Sequence, residues 1–167
     1  EAALRDPLTG AHNRRALMER VASDLAHAAR HGDPYAVVLL DLDHFKQVND
    51  QHGHLAGDYV LRRFAKLVLE LTRREDFFAR YGGEEFALAC RSTDLSQGAQ
   101  LAERVRAYVA AADFAFEGTP IRVTSSAGVA AYRPGSSVEE LIARADEALY
   151  AAKEAGRNRV MTAPEPR

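Results

Sequence analysis

Apolar positions recur along this chain at two periods, three-to-four and continuous, and the switches between them mark out the elements. From Arg14 to about Arg30, Leu17, Val21, Leu25 and Ala28 form one helical stripe, and Gly32-Asp33-Pro34 stops it. Tyr35-Ala36-Val37-Val38-Leu39-Leu40 follows without a polar break, the pattern of a strand buried on both faces. Lys46 to His54 is polar with a glycine and reads as a loop at a sheet edge. Val60, Phe64, Leu67, Val68 and Leu71 then predict an amphipathic helix from Leu55 to about Thr72, with Asp58 in its first turn. Phe77-Phe78-Ala79 and Ala87-Leu88-Ala89-Cys90 flank Gly82-Gly83, which predicts two short strands joined by a tight turn whose central residues take positive φ.

Past Cys90, Leu101, Ala102, Val105, Val109 and Ala112 share one helical face, and 113–120 reads as loop. Ile121 to Tyr132 mixes β-branched with small residues, among them Val123, Ala127, Gly128 and Val129, a strand packed closely by its neighbours. The last helix opens with a capping box, Ser136 with Glu139 or Ser137 with Glu140, and Gly156 ends it. Strand and helix alternate while the glycine hairpin is antiparallel. The expected fold is therefore α/β (α+β), a central mixed, largely antiparallel five-stranded sheet covered by helices. Asp6-Pro7 and Thr9-Gly10 are turn chemistry, so residues 1–5 are expected to be a linker, 6–161 one domain and 162–167 a flexible tail.

Composition narrows the partners. At 167 residues and 47% hydrophobic the chain is one globular domain with a real core. Lys plus Arg number 22 against 24 Asp plus Glu, so no global basic field exists to hold nucleic acid or an anionic membrane, and an anionic ligand must be met locally. A single cysteine, Cys90, suits a reducing compartment, which points to the cytoplasm. No apolar run approaches ~20 residues, so nothing here spans a membrane.

Two features carry candidate chemistry. Glu84 and Glu85 follow the glycine pair at a sheet rim, where adjacent carboxylates raise each other's pKa unless a cation or water intervenes. The buried strand ends in Asp41-Leu42-Asp43, and if it pairs beside the hairpin, Asp41 and Glu84 converge as oxygen ligands for a hard divalent cation, best Mg²⁺. Taken alone, strand-end acids are as often simply solvated. His44, His52 and His54 lie in loop context without cysteine partners, which argues against zinc.

Gly82-Gly83-Glu84-Glu85-Phe86, with Asp6-Pro7-Leu8-Thr9-Gly10, Asp41 to Lys46, and Asn49-Asp50 through Gly57-Asp58, resembles the GGDEF-type diguanylate cyclases over nearly the whole chain. Several ordered motifs at matching spacing are far more specific than one glycine pair. The resemblance implies a fold related to nucleotide-cyclase and polymerase palms. It also implies condensation of two GTP into cyclic di-GMP across a homodimer, with an upstream sensory or receiver domain setting the pairing. It assigns two Mg²⁺, with Mn²⁺ as a substitute, to Asp41, the Leu42 carbonyl and Glu84, with Glu85 beside them; either glutamate could serve as base. It makes Asn49 and Asp58 the base readers, with His54, Phe45 and His44 as further substrate contacts and Lys46, Lys153 and Arg157 as phosphate contacts. Arg73 and Asp76, an Arg-x-x-Asp pair ahead of the glycines, match the family's inhibitory product site, to which Arg104 adds a contact. Each has a plainer alternative: a dipole partner at Asp58, a turn residue at Asn49, a helix-end cation at Lys153 and Arg157, a solvated charge cluster at Arg73 to Asp76. The competing function is a silent GTP or cyclic di-GMP binding module; such modules lose the carboxylates after the glycines or at the strand end, and this chain keeps them.

Overall fold

The computed structural model describes residues 4–165. Its centre is β1 (Tyr35–Leu42), flanked by β3 (Glu85–Arg91) on one side and β6 (Ser125–Ala131) on the other; β2 (Phe77–Arg80) and β7 (Val160–Thr162) complete a five-stranded sheet ordered β2-β3-β1-β6-β7. All pairings are antiparallel except β6 with β7, so the expected mixed, largely antiparallel sheet is what forms. Every residue of β1 is buried because both faces are covered. Val38, Leu40 and Leu42 point into a core shared with α2 (Phe45–His52), α3 (His54–Leu71) and α4 (Leu95–Ala111). Val37 and Leu39 point the other way, against α1 (Arg14–His31) and α5 (Val138–Glu154).

The helix ends follow their sequence signals. Asn13 caps α1, its side chain accepting from Ala16 N, and Gly32 ends it at φ 71. Of the two capping boxes open at α5, Ser137 with Glu140 is the one that forms. Gly128 shows why β6 is built from small residues: a Cβ there would lie 2.2 Å from Leu149 N and 2.3 Å from Ala145 O, backbone atoms of α5 that cannot turn aside. Gly128→Ala is therefore expected to destabilise the fold by about 3 kcal/mol or more, read as a lowered denaturation midpoint with an unchanged m value.

The structure departs from the sequence reading in several places, and the strand expected from Ile121 begins only at Ser125. The polar stretch after Lys46 is helix α2, not loop; only Phe45 and Val48 are buried in it, too few positions to announce a helical period. Asp58 is the fifth residue of α3, past its first turn, because the helix begins at His54. Within 113–120 lies a hairpin, β4 (Phe114–Phe116) and β5 (Thr119–Ile121), turned by Glu117 and Gly118 at φ 49 and 82, the two left-handed positions a type I′ turn needs. Gly82 and Gly83 are not among the positive-φ residues, so the catalytic-looking turn does not rest on left-handed glycines. A Cβ on Gly82 would instead sit 2.9 Å from Glu85 Oε1, while Gly83 has open space beside it. Finally Thr162 belongs to β7, and buried Ala163 donates its N–H to Val129 O, so the ordered chain runs beyond 161.

Candidate active site

Register carries the acids together. β1 pairs with β3 so that Asp41 faces Glu85, and Leu42 N donates to Glu84 O at 3.2 Å, tying the end of the buried strand to the glycine turn. The Asp41 side chain is 7% exposed and meets the Lys153 ammonium from the end of α5. Burial raises the Asp41 pKa, and Lys153 offsets part of that rise. Glu84 and Glu85 are raised as well, first by burial and then by the charge of Asp41, with Lys153 again opposing. Three carboxylates thus share one electrostatic environment with one ammonium facing them. Among the described residues no group of three or more His, Cys, Asp or Glu is already arranged around a metal position. The donor set nevertheless fits a hard divalent ion, being all carboxylate oxygen from neighbouring strands and short of positive charge.

Next to the acids lies a cleft of about 460 Å³ lined by Phe45, Lys46, Asn49, His54, Asp58, Leu61, Arg80, Gly83 and Glu84. It gathers five of the predicted substrate residues from α2 and α3, and Glu84 belongs to both the cleft and the acid cluster. His44 is elsewhere: it adopts φ 56 and lines a different depression with Asp43, Gln47, His52 and Arg122. Lys46 is exposed and pairs with Asp50 at 3.0 Å. Asn49 Oδ1 is buried without a hydrogen-bond partner, and it presses on Gly57 so closely that a Cβ there would be 1.9 Å away. The helix crossing thus fixes the Asn49 carboxamide at the wall of the cleft.

Sequence reading missed Arg80. Its guanidinium donates to Gly82 O at 3.2 Å and Gly83 O at 2.6 Å, which fixes the turn without left-handed glycines. Asp6 holds it from the opposite side at 3.1 Å and also accepts from Thr9 N and Oγ1. The N-terminal turn is therefore joined to the catalytic-looking one.

At the predicted inhibitory site Arg73 and Asp76 do meet. The Asp76 carboxylate, 1% exposed, accepts from Arg73 N at 2.7 Å and from its guanidinium at 3.2 Å. Arg73 also reaches Arg91 O and Thr93 Oγ1, and burial together with Asp76 pushes the Cys90 thiol up. Arg104 is exposed on α4, and no hydrogen bond or ion pair joins it to either residue among the described ones.

The family model described as "Diguanylate cyclase, GGDEF domain" matches residues 3–159. The chain belongs to the GGDEF domain family. Diguanylate cyclase DgcP of Pseudomonas aeruginosa is 47% identical over 163 residues, covering 98% of this chain and 24% of its own. The GGDEF domain spans 24% to 36% of the length of the first curated relatives it matches. Among solved structures, the GGDEF domain of DgcB from Caulobacter crescentus in complex with c-di-GMP superposes with a TM-score of 0.94 at 37% identity, covering 98% of this chain and 94% of that one. The active GGEEF domain of a diguanylate cyclase from Vibrio cholerae gives 0.86 at 35% identity over 92% of this chain and 98% of that one. It carries the same glutamate variant in its motif name as Glu84 here. Among the described residues, no helix of this GGDEF domain is long and apolar enough to cross a membrane.

Proposed function

We propose that this domain is a diguanylate cyclase that joins two GTP molecules into cyclic di-GMP and releases two pyrophosphates. The observation that carries the reading is the cleft of about 460 Å³ beside the acid cluster, with Glu84 common to both. Guanine presents N–H donors on the edge where adenine presents an acceptor at N1. Asp58 and the Asn49 carboxamide line the cleft and supply acceptor groups, so they suit guanine and leave adenine unpaired, a mismatch worth ~10⁴-fold in sites built on hydrogen bonds. Asp41, Leu42 O and Glu84 would hold two Mg²⁺, or Mn²⁺, with Glu85 at the rim. When bound, the ions neutralise triphosphate charge and favour the deprotonated 3′-hydroxyl.

The 3′-oxygen of one GTP forms a bond to the α-phosphorus of the other as the bond to pyrophosphate breaks; the reciprocal step closes the ring. Glu84 or Glu85 takes the hydroxyl proton. Lys153 and Arg157 hold the phosphates, and His54 and Phe45 wall the cleft. One domain binds one GTP, so two must face each other, and that pairing supplies much of the rate by proximity. An upstream module sets the pairing, and cyclic di-GMP feeds back at Arg73, Asp76 and Arg104.

The test is chromatography of products after incubating the protein, alone and fused to a dimerising helix, with GTP or ATP and Mg²⁺. Cyclic di-GMP from GTP, and no cyclic dinucleotide from ATP, is the expected result. Tight GTP binding with no product from the paired form would make it a sensor instead.

A further inference from the structure

Two consecutive non-glycine residues after α5, Arg157 at φ 66 and Asn158 at φ 49, sit in the left-handed region. Such a pair persists only where the surroundings hold it. Asn158 is gripped from two sides. Its N–H donates to Asp43 Oδ2 at 2.9 Å and Ser126 Oγ at 3.1 Å, while its side-chain Oδ1 accepts from Arg106 Nη1 at 2.8 Å. Asp43 is itself held by further donors: Ser126 Oγ donates to Oδ1 at 2.7 Å and Thr124 Oγ1 to Oδ2 at 2.8 Å, and the residue is 6% exposed. Both its oxygens are engaged by protein donors, which separates it from Asp41 two positions earlier. Arg106 is steadied in turn by Glu103 on the same helix, at 2.7 Å.

This grip bears on the phosphate contacts. Arg157 N donates to Ala152 O at 3.0 Å, so the turn folds back on the end of α5, which carries Lys153 against Asp41. The charge of Arg157 also reaches Asp41. We propose that Asp43 and Arg106 are positioning residues that clamp Asn158 between β1 and α4 and so fix the left-handed turn presenting Arg157, beside Lys153, to the nucleotide phosphates. This rests on the GTP reading of the cleft. A plain fold staple would hold the chain without regard to what Arg157 touches.

The two roles separate in a double-mutant cycle. Binding of 3′-deoxy-GTP, which lacks the attacking hydroxyl, and of guanosine is measured for wild type, Arg106→Ala, Arg157→Ala and the double variant, with Asp43→Asn as a second lesion of the clamp. Arg106→Ala is expected to weaken 3′-deoxy-GTP by about tenfold, the scale of one contact to a charged group. It should leave guanosine unchanged and add little once Arg157 is alanine. Asp43→Asn should follow the same pattern. Equal loss of guanosine binding, or a full effect in the Arg157→Ala background, overturns the clamp; so does an Arg157→Ala variant that binds the triphosphate normally. A wild-type protein that binds no 3′-deoxy-GTP sinks the nucleotide reading itself.

Discussion

Glu85→Gln is expected to lower cyclic di-GMP synthesis by about 10³-fold and yet to raise the melting temperature of the metal-free domain at neutral pH. The first effect follows from removing a carboxylate that takes the hydroxyl proton or supports the cations beside it. The second follows from the direction of the pKa shifts. Glu85 is raised by burial first and by Asp41 second, so folding favours its protonated form. A carboxylate raised in this way contributes stability below its ordinary pKa and loses it as pH climbs through the folded value. At neutral pH the like charges of Asp41, Glu84 and Glu85 therefore act fully against the fold, opposed by Lys153. Glutamine removes one of them. Both glutamates are partly exposed, so water screens the repulsion and the rise amounts to a few degrees at most. Mg²⁺ should raise the wild-type midpoint more than the variant's. A melting temperature that falls on Glu85→Gln in the metal-free domain would contradict the shared-charge picture.

Gly57→Ala is the second large effect. The added methyl would sit 1.9 Å from Asn49 Oδ1, 3.0 Å from its Cγ and 3.2 Å from Phe45 Cζ. Either α3 moves off α2 or the Asn49 carboxamide leaves the cleft. The first outcome costs about 1–3 kcal/mol of stability; the second removes an acceptor that guanine would use. We expect KM for GTP to rise by about 10²-fold, a loss of about 2.7 kcal/mol, with a smaller change in kcat. Asn49→Ala should weaken GTP by itself but should remove most of the Gly57→Ala effect, because the main clash partner is gone and only the Phe45 ring remains close. Full additivity of the two would show that the methyl acts elsewhere, and saturation kinetics on the four proteins decide it.

The parts of this domain legible in the sequence are those where a local pattern has one physical meaning. An unbroken apolar run from Tyr35 could only be a strand covered on both sides, so Asp41 at its end had to reach the sheet rim. Glu84 and Glu85 after a glycine pair could be placed at the same rim, and register did the rest. Asn49, His54 and Asp58 were reached through motif resemblance and do line one cleft. What spacing could not supply was interaction between distant segments. Arg80 is fixed by Asp6, 74 residues away, and Asn158 by Asp43, 115 away, and neither pairing leaves a periodic trace. The glycine turn does not rest on positive φ: Arg80 holds it, and a Cβ on Gly82 would meet only the movable end of the Glu85 side chain. Helix α2 stayed hidden because two buried residues in eight give no period, although they place Asn49.

The central claim is that Asp41 and Glu84 gather a divalent cation beside a guanine nucleotide in the α2–α3 cleft. Anomalous diffraction from crystals grown with Mn²⁺ and 3′-deoxy-GTP measures it directly. The account predicts manganese peaks at the Asp41 and Glu84 carboxylates, the base in the cleft against Asn49 and Asp58, and the Lys153 ammonium displaced from Asp41 toward phosphate. A bound nucleotide with Lys153 still paired to Asp41 and manganese at neither carboxylate would contradict it.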